Sequence, residues 1–131
     1  MKKVFTLIIT LHFIGLASLS AGIDLKASKD LVRRILPNLY KNIEVRYIPS
    51  GNGLDVFEIE SAKNGKIILS GNNGVSIASA LNHYLKNYCN FEITWNGRSQ
   101  LPDKLSAISE KIRVESPHQL RYYLNYCTFS Y

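Results

Sequence analysis

Two glutamates stand two positions apart in "LDVFEIE", residues 54–60. On a strand, Glu58 and Glu60 would leave the same face about 7 Å apart, two residues of strand rise. A pair of carboxylates is what glycoside hydrolysis requires, one to donate a proton and the other to attack or to activate water. The same stretch alternates Phe57 and Ile59 against the two acids, with Arg46 and Lys66 available as counter-charges. That is the pattern of a solvated sheet face, and both glutamates are assigned to one. A second stretch with chemical promise is "LSGNNGVSIASAL" (69–81), a glycine loop between a strand and a helix start, where backbone N–H groups can hold a phosphate. Its G-x-x-G spacing lacks the third glycine of a dinucleotide site and the Lys-Ser/Thr of a P-loop. It is therefore taken as a βα turn whose glycines adopt positive φ. His83 and His118 have no ligand partners at metal spacing and His12 falls in the leader, so neither a metal nor another cofactor is expected.

The chain closes on "RYYLNYCTFSY" (121–131), with four tyrosines and a phenylalanine in eleven residues. Strand-like alternation puts Asn125 and Cys127 on one face with Tyr123 and Phe129. Spacing alone leaves two options open. The pair can lie at the carboxyl end of a barrel strand, where (β/α)8 enzymes grip substrate, or it can be core packing around one buried amide. Chain ends are normally polar and frayed, so this ending suggests the front of a longer protein.

The positioning elements follow from periodicity. "SKDLVRRIL" (28–36) is a helix with Ser28 as N-cap, Leu31, Ile35 and Leu36 on its apolar face, and Pro37 as its stop. "IEVRYI" (43–48) alternates Ile43, Val45 and Tyr47 against Glu44 and Arg46. "LDVFEIE" is the second strand, and Asn64-Gly65 favours a tight hairpin turn into a third, "KIILS" (66–70). A helix thus leads into a three-stranded antiparallel meander. "VSIASALNHYLKNYC" (75–89) is the strongest helix, with a stripe of Ile77, Leu81, Leu85 and Tyr88; "FEITW" (91–95) alternates as a further strand. From Asn96 to Gln119 the pattern dissolves into a crossing segment at a domain boundary, with a short strand near Ile112–Val114. The expected fold is α+β, a small, mainly antiparallel sheet with helix 74–89 across one face. Its expected core is Ile77, Leu81, Leu85, Phe57, Ile67, Leu69 and Ile93.

Of the 131 residues, 1–22 form a secretory signal: Lys2 and Lys3, an apolar run from Val4 to Leu19, and small residues at Ser20–Gly22. The run is interrupted by Thr6, Thr10 and His12 and is short for a membrane span of roughly 20 residues. The protein is expected to be exported, to a periplasm or the extracellular space, or to a lysosomal-type compartment in a eukaryote, with no membrane partner after cleavage. Without Lys2 and Lys3 the 16 basic residues fall to about 14 against 10 acidic ones. They are scattered rather than striped, which excludes a nucleic-acid footprint. Two cysteines, Cys89 and Cys127, make no disulfide framework and are both expected to be free.

"NHYLKNYCNFEITWNG" followed by "RYYLNYCTFSY" resembles the N-terminal part of the alpha-N-acetylglucosaminidases, glycoside hydrolase family 89, from about Ser28 to the last residue. The most specific part is Arg121, Tyr122, Tyr123, Asn125, Cys127, Thr128, Ser130 and Tyr131. The resemblance implies a small α/β domain ahead of a (β/α)8 barrel that begins at the tyrosine-rich run. Residues 1–22 are then the signal, 23–117 the N-terminal domain and 118–131 the truncated start of the barrel. Such enzymes release terminal α-linked N-acetylglucosamine with retention, using two glutamates typically about 5–5.5 Å apart. By resemblance both lie beyond Tyr131, so the chain carries no catalytic residue and is expected to be inactive alone. Asn125 and Cys127 match positions that line the sugar pocket, with Tyr131 as a third substrate-binding candidate. The implied partners are a glycan containing N-acetylglucosamine and the rest of the catalytic domain. A stand-alone accessory or carbohydrate-binding module is the alternative, and the reading frame beyond Tyr131 discriminates the two.

Overall fold

The structure, a computed structural model, describes residues 25–94 and 96–120. Helix α1 (Leu25–Ile35) begins before the expected N-cap, because Lys26 and Ala27 are good helix formers that extend it backwards. Ser28 therefore does not cap the helix. It is buried inside it, and its Oγ is 3.8 Å from where a side chain on Gly74 would begin. The inward stripe is Ser28, Val32 and Leu36, one position round from the expected Leu31 and Ile35, which lie half-buried at its flank. The Leu36 carbonyl accepts from the amides of Leu39 and Tyr40, turning the chain past Pro37 into a 3-10 turn at Tyr40–Asn42.

Strands β1 (Ile43–Tyr47), β2 (Val56–Ser61), β3 (Ile67–Gly71) and β6 (Ile112–Glu115) form one sheet in the order β1-β3-β2-β6. β1 runs parallel to β3, with Ile43 opposite Ile67 and Val45 opposite Leu69. The other two pairings are antiparallel, Ile59 facing Leu69 on one side of β2 and Ile112 on the other. The antiparallel meander is thus corrected: β3 is inserted between β1 and β2. The cause is visible in "IILSG", buried at every position, since a strand apolar on both faces belongs in the centre of a sheet. The β2–β3 hairpin forms as expected, through a short loop. Ala62 donates to the Lys66 carbonyl at 2.8 Å, and Gly65 takes the left-handed conformation at φ 80°.

Helix α2 (Gly74–Tyr88) crosses β3 and β2, and α1 packs beside it on β1. Ile77, Leu81 and Leu85 are buried with Ile67 and Leu69, joined by Ala80 and Tyr84, whereas Phe57 is only half-buried at the edge. Full burial of each Leu or Ile contributes roughly 1.5–3 kcal/mol, so this stripe dominates the stability of so small a layer. Asn90, at φ 51°, closes α2 and lets the Phe91 amide return to the Leu85 carbonyl at 3.0 Å. Phe91 is buried, but the expected strand over 91–95 does not join the sheet. Instead β4 (Ile93–Thr94) pairs with β5 (Gly97–Arg98) as a small outlying hairpin, and Ile93 is 50% exposed rather than part of the core.

The segment after β5 straps back across the helical side. The Tyr84 hydroxyl donates to the Ser106 carbonyl at 2.7 Å, the Ile108 amide donates to Ser61 Oγ at 2.8 Å, and Ile108 enters the core. Burial, reinforced by neighbouring Cys89, raises the Tyr84 phenol well above its ordinary pKa. β6 then completes the sheet where the short strand was expected. Residues 118–120 have no regular structure, and 121–131, which carry the expected barrel start, lie outside the described residues.

Candidate functional site

Asn72 and Asn73, at the turn from β3 into α2, hold three segments together. Asn72 accepts from the Val56 amide at 3.0 Å and from Ser76 Oγ at 2.8 Å, and donates to the Leu54 carbonyl at 3.1 Å. Asn73 caps α2 by accepting from the Ser76 amide at 2.8 Å, while its Nδ2 donates to Asp55 Oδ1 at 2.5 Å. The positive end of the helix dipole is therefore already met by the Asn73 oxygen and, behind it, the Asp55 carboxylate. An incoming phosphate would meet that negative charge, so the turn is built for packing. Its glycines do not act through positive φ, which among the described glycines occurs at Gly53, Gly65 and Gly97. At Gly71 the reason is close approach: a Cβ there would stand 2.9 Å from Cγ1 of Ile77. The Asn-Asn cap was legible as a polar residue three before Ser76; the Asp55 contact, 18 positions away, had no local signal.

Glu58 and Glu60 project from the sheet face opposite the helices. Glu58 Oε1 receives Arg113 and Oε2 receives Lys111, both at 2.7 Å, and its side chain is 13% exposed. Burial pushes its carboxyl up, but the hydrogen bonds from Lys111 and Arg113 outweigh that and hold it below the usual carboxylate range. Glu60 lies 3.9 Å from Arg46, which bonds Glu44 at 2.7 Å. The counter-charges of Glu58 come from β6 and the residue before it, rather than from Arg46 and Lys66. A carboxylate with both oxygens neutralised and a depressed pKa is a poor proton donor at neutral pH. This face is an ion-paired surface on which Glu58 is covered by its two partners while Glu60 stays open to solvent beside Arg46, not a pair of carboxylates flanking a bond.

His83 rests its ring 5.7 Å from that of Phe57, and His118 takes part in a local turn with Ser116. Among the described residues no three His, Cys, Asp or Glu side chains gather as a metal site, no helix is long and apolar enough to cross a membrane, and Cys89 is a free thiol. Asn125, Cys127 and Tyr131, the substrate-binding candidates, lie outside the described residues.

Residues 26–106 match the family described as the alpha-N-acetylglucosaminidase (NAGLU) N-terminal domain. Human alpha-N-acetylglucosaminidase is 31% identical over 87 residues, covering 66% of this chain and 12% of the human protein. A family 89 glycoside hydrolase from Clostridium perfringens, solved with PUGNAc, superimposes with a TM-score of 0.72 at 37% identity, over 80% of this chain and 12% of that one. A structure of the Clostridium perfringens enzyme with its substrate GlcNAc-alpha-1,4-galactose gives 0.70 at 36% identity, over 75% and 11%. The chain thus spans about an eighth of the length of these relatives. The match runs from the second residue of α1, through the sheet and α2, to the strap that Tyr84 anchors. On that evidence the chain belongs to the alpha-N-acetylglucosaminidase N-terminal domain family.

Proposed function

We propose that this chain is the front of an exported, retaining alpha-N-acetylglucosaminidase. In this account its α/β layer is a non-catalytic platform that leads into the barrel where the sugar is cleaved. The observation that carries the proposal is the family match over 26–106, supported by the likeness to enzymes of the same family at 36–37% identity. The electrostatics of the sheet agree with a platform, since Glu58 is tied up by Lys111 and Arg113. A retaining glycosidase needs one carboxyl group protonated and a second one free to attack, on opposite sides of the scissile bond. In this proposal those glutamates lie beyond Tyr131, and residues 1–22 are a signal removed on export. Asn125 and Cys127 face the barrel mouth, the amide exchanging hydrogen bonds with sugar hydroxyls or the acetamido group, with Cys127 as a compact wall and Tyr131 nearby.

The test is steady-state kinetics in the enzyme encoded by the complete reading frame. Removing one hydrogen bond to a neutral group costs roughly 0.5–1.5 kcal/mol, and more where a buried partner is stranded. Asn125→Ala should therefore lower kcat/KM by about tenfold or more, each 1.4 kcal/mol being one decade. Unchanged kinetics in a well-folded variant remove Asn125 from the site.

A further inference from the structure

Strand β1 forms one edge of the sheet, and among the described residues β3 is its sole strand neighbour. The Ile48 amide donates to the Gly71 carbonyl at 3.2 Å, and this bond fixes the phase of the main chain. Glu44 and Arg46 turn their N–H and C=O groups toward β3, while Ile43, Val45 and Tyr47 turn theirs outward. The Ile43 amide donates to the Tyr40 carbonyl, so the edge presents both groups of Val45 and Tyr47 and the carbonyl of Ile43. Along it runs a cleft of about 400 Å³. Ile43 and Val45 lie buried at its floor, with Val32 of α1 and Tyr40 as further apolar lining, and Tyr47, 54% exposed, continues the same face of β1. Lys29, Lys41 and Lys66 stand around this strip, all exposed and, among the described residues, outside any ion pair. The acid between them, Glu44, already accepts from Arg46 at 2.7 Å. That hydrogen bond holds the Glu44 carboxyl below its usual range, and the charges of Lys66 and Lys29 act in the same direction.

We propose that the β1 edge is a docking site for an extended acidic segment of another protein, which joins the sheet beside β1 and sets its carboxylates against Lys29, Lys41 and Lys66. Main-chain hydrogen bonds to an exposed sheet edge give such a segment its grip, and alternate side chains give the selection. Here apolar residues of the segment pack on Val32 and Tyr40, and acidic ones meet the lysines. Lysines on an edge strand also guard it against pairing with its own kind. A second copy laid on β1 brings a second set of the same three lysines to the same line, whereas an acidic strand neutralises them. An anionic polysaccharide satisfies the lysines but offers no ladder to the outward groups of Val45 and Tyr47. The proposal does not rest on the enzymatic reading.

Fluorescence anisotropy tests it on the 131-residue chain, with a short labelled peptide of alternating glutamate and valine. One comparison peptide has lysine in place of glutamate, and another is N-methylated on the alternate residues that face β1. The acidic peptide should bind about tenfold or more tighter than either, since each comparison removes several contacts at once. Its affinity should fall as salt rises. Combining Lys29→Glu, Lys41→Glu and Lys66→Glu, all at exposed positions, should reverse the preference so that the lysine peptide binds best. Tyr47→Pro removes one outward N–H and none of the bonds to β3, and should weaken binding by about threefold to tenfold. In the wild type, bound peptide should slow amide exchange at Val45 and Tyr47 by about tenfold and leave Leu69 unchanged. No binding of the acidic peptide overturns the proposal. Equal affinity for the methylated peptide does so too, because charge alone then holds the ligand. Dextran sulfate that binds as tightly as the acidic peptide, with no response to Tyr47→Pro, assigns the cleft to an anionic polysaccharide and also overturns it. Self-association of the free chain in sedimentation, abolished by Tyr47→Pro, gives the edge to a second copy and counts equally against it.

Discussion

A Cβ at Gly71 would stand 2.9 Å from both Cγ1 and N of Ile77 and 3.0 Å from Cβ of Ser76. None of these atoms is the far end of a flexible side chain, so the strand and the helix would have to move apart. Gly71→Ala is expected to destabilise the domain by about 1–3 kcal/mol, as overpacking does. Urea unfolding checks this, and a loss below about 0.5 kcal/mol, the ordinary surface range, would show slack in the turn. The sequence flags this glycine but not its reason, because a need for positive φ and a need for close approach select the same residue. Glu58 shows the same limit. Its outward place on β2 is legible from alternation, but its partners Lys111 and Arg113 lie far along the chain, beyond any local pattern. Because its folded-state pKa lies below the ordinary value, its contribution to stability is present above the usual carboxylate range and is lost as pH falls through the folded value. The Tm of the wild type should therefore fall more steeply than that of Glu58→Gln between about pH 5 and pH 3, around the ordinary glutamate pKa. Parallel acid limbs for the two proteins would remove Glu58 from this role.

Among the elements, α2 is the most legible and the most consequential. Its stripe at 77, 81 and 85 is apolar at strict helical spacing, and those three residues are buried on the sheet. Its first turn depends on Asn73, whose side chain serves two neighbours at once. Asn73→Ala should cost about 1 kcal/mol as a lost N-cap, and more through the lost contact with Asp55. Asn73→Ser keeps an acceptor for the Ser76 amide but cannot reach Asp55 in the same way, so it should recover part of the loss. Chemical denaturation of the two variants beside the wild type measures the difference. A Ser variant as unstable as the Ala one would place the whole effect in the Asp55 contact. Elsewhere the elements were found more readily than their partners. The alternation of β1, β2 and β3 marks each as a strand, but pairing order depends on which strand is buried on both faces, and only "IILSG" carries that signal. Alternation in "FEITW" equally fits a strand in the sheet and a hairpin outside it. Phe91 takes the buried place, Gly97 at φ 147° turns the chain outward, and Ile93 is left half in solvent. On α1, Ser28 has the chemistry of a cap, yet its small size serves the close packing of α1 against the start of α2.

At the scale of the whole molecule, the domain is two layers with different tasks. One sheet face carries the helices and the apolar core, and the other carries a row of ion pairs between Glu44, Arg46, Glu60, Glu58, Lys111 and Arg113. Among the described residues neither layer brings together two free carboxylates, and the part of the human and Clostridium perfringens proteins matched here is 12% of each. The central claim, a catalytically silent platform at the front of an alpha-N-acetylglucosaminidase, is tested most directly by hydrolysis of an α-N-acetylglucosaminide. The assay compares purified residues 23–131 with the protein translated from the complete reading frame. The account predicts turnover by the longer protein and none by the shorter one, with Glu58→Gln leaving the longer protein's kcat/KM unchanged. Turnover by residues 23–131 that disappears in Glu58→Gln would contradict it.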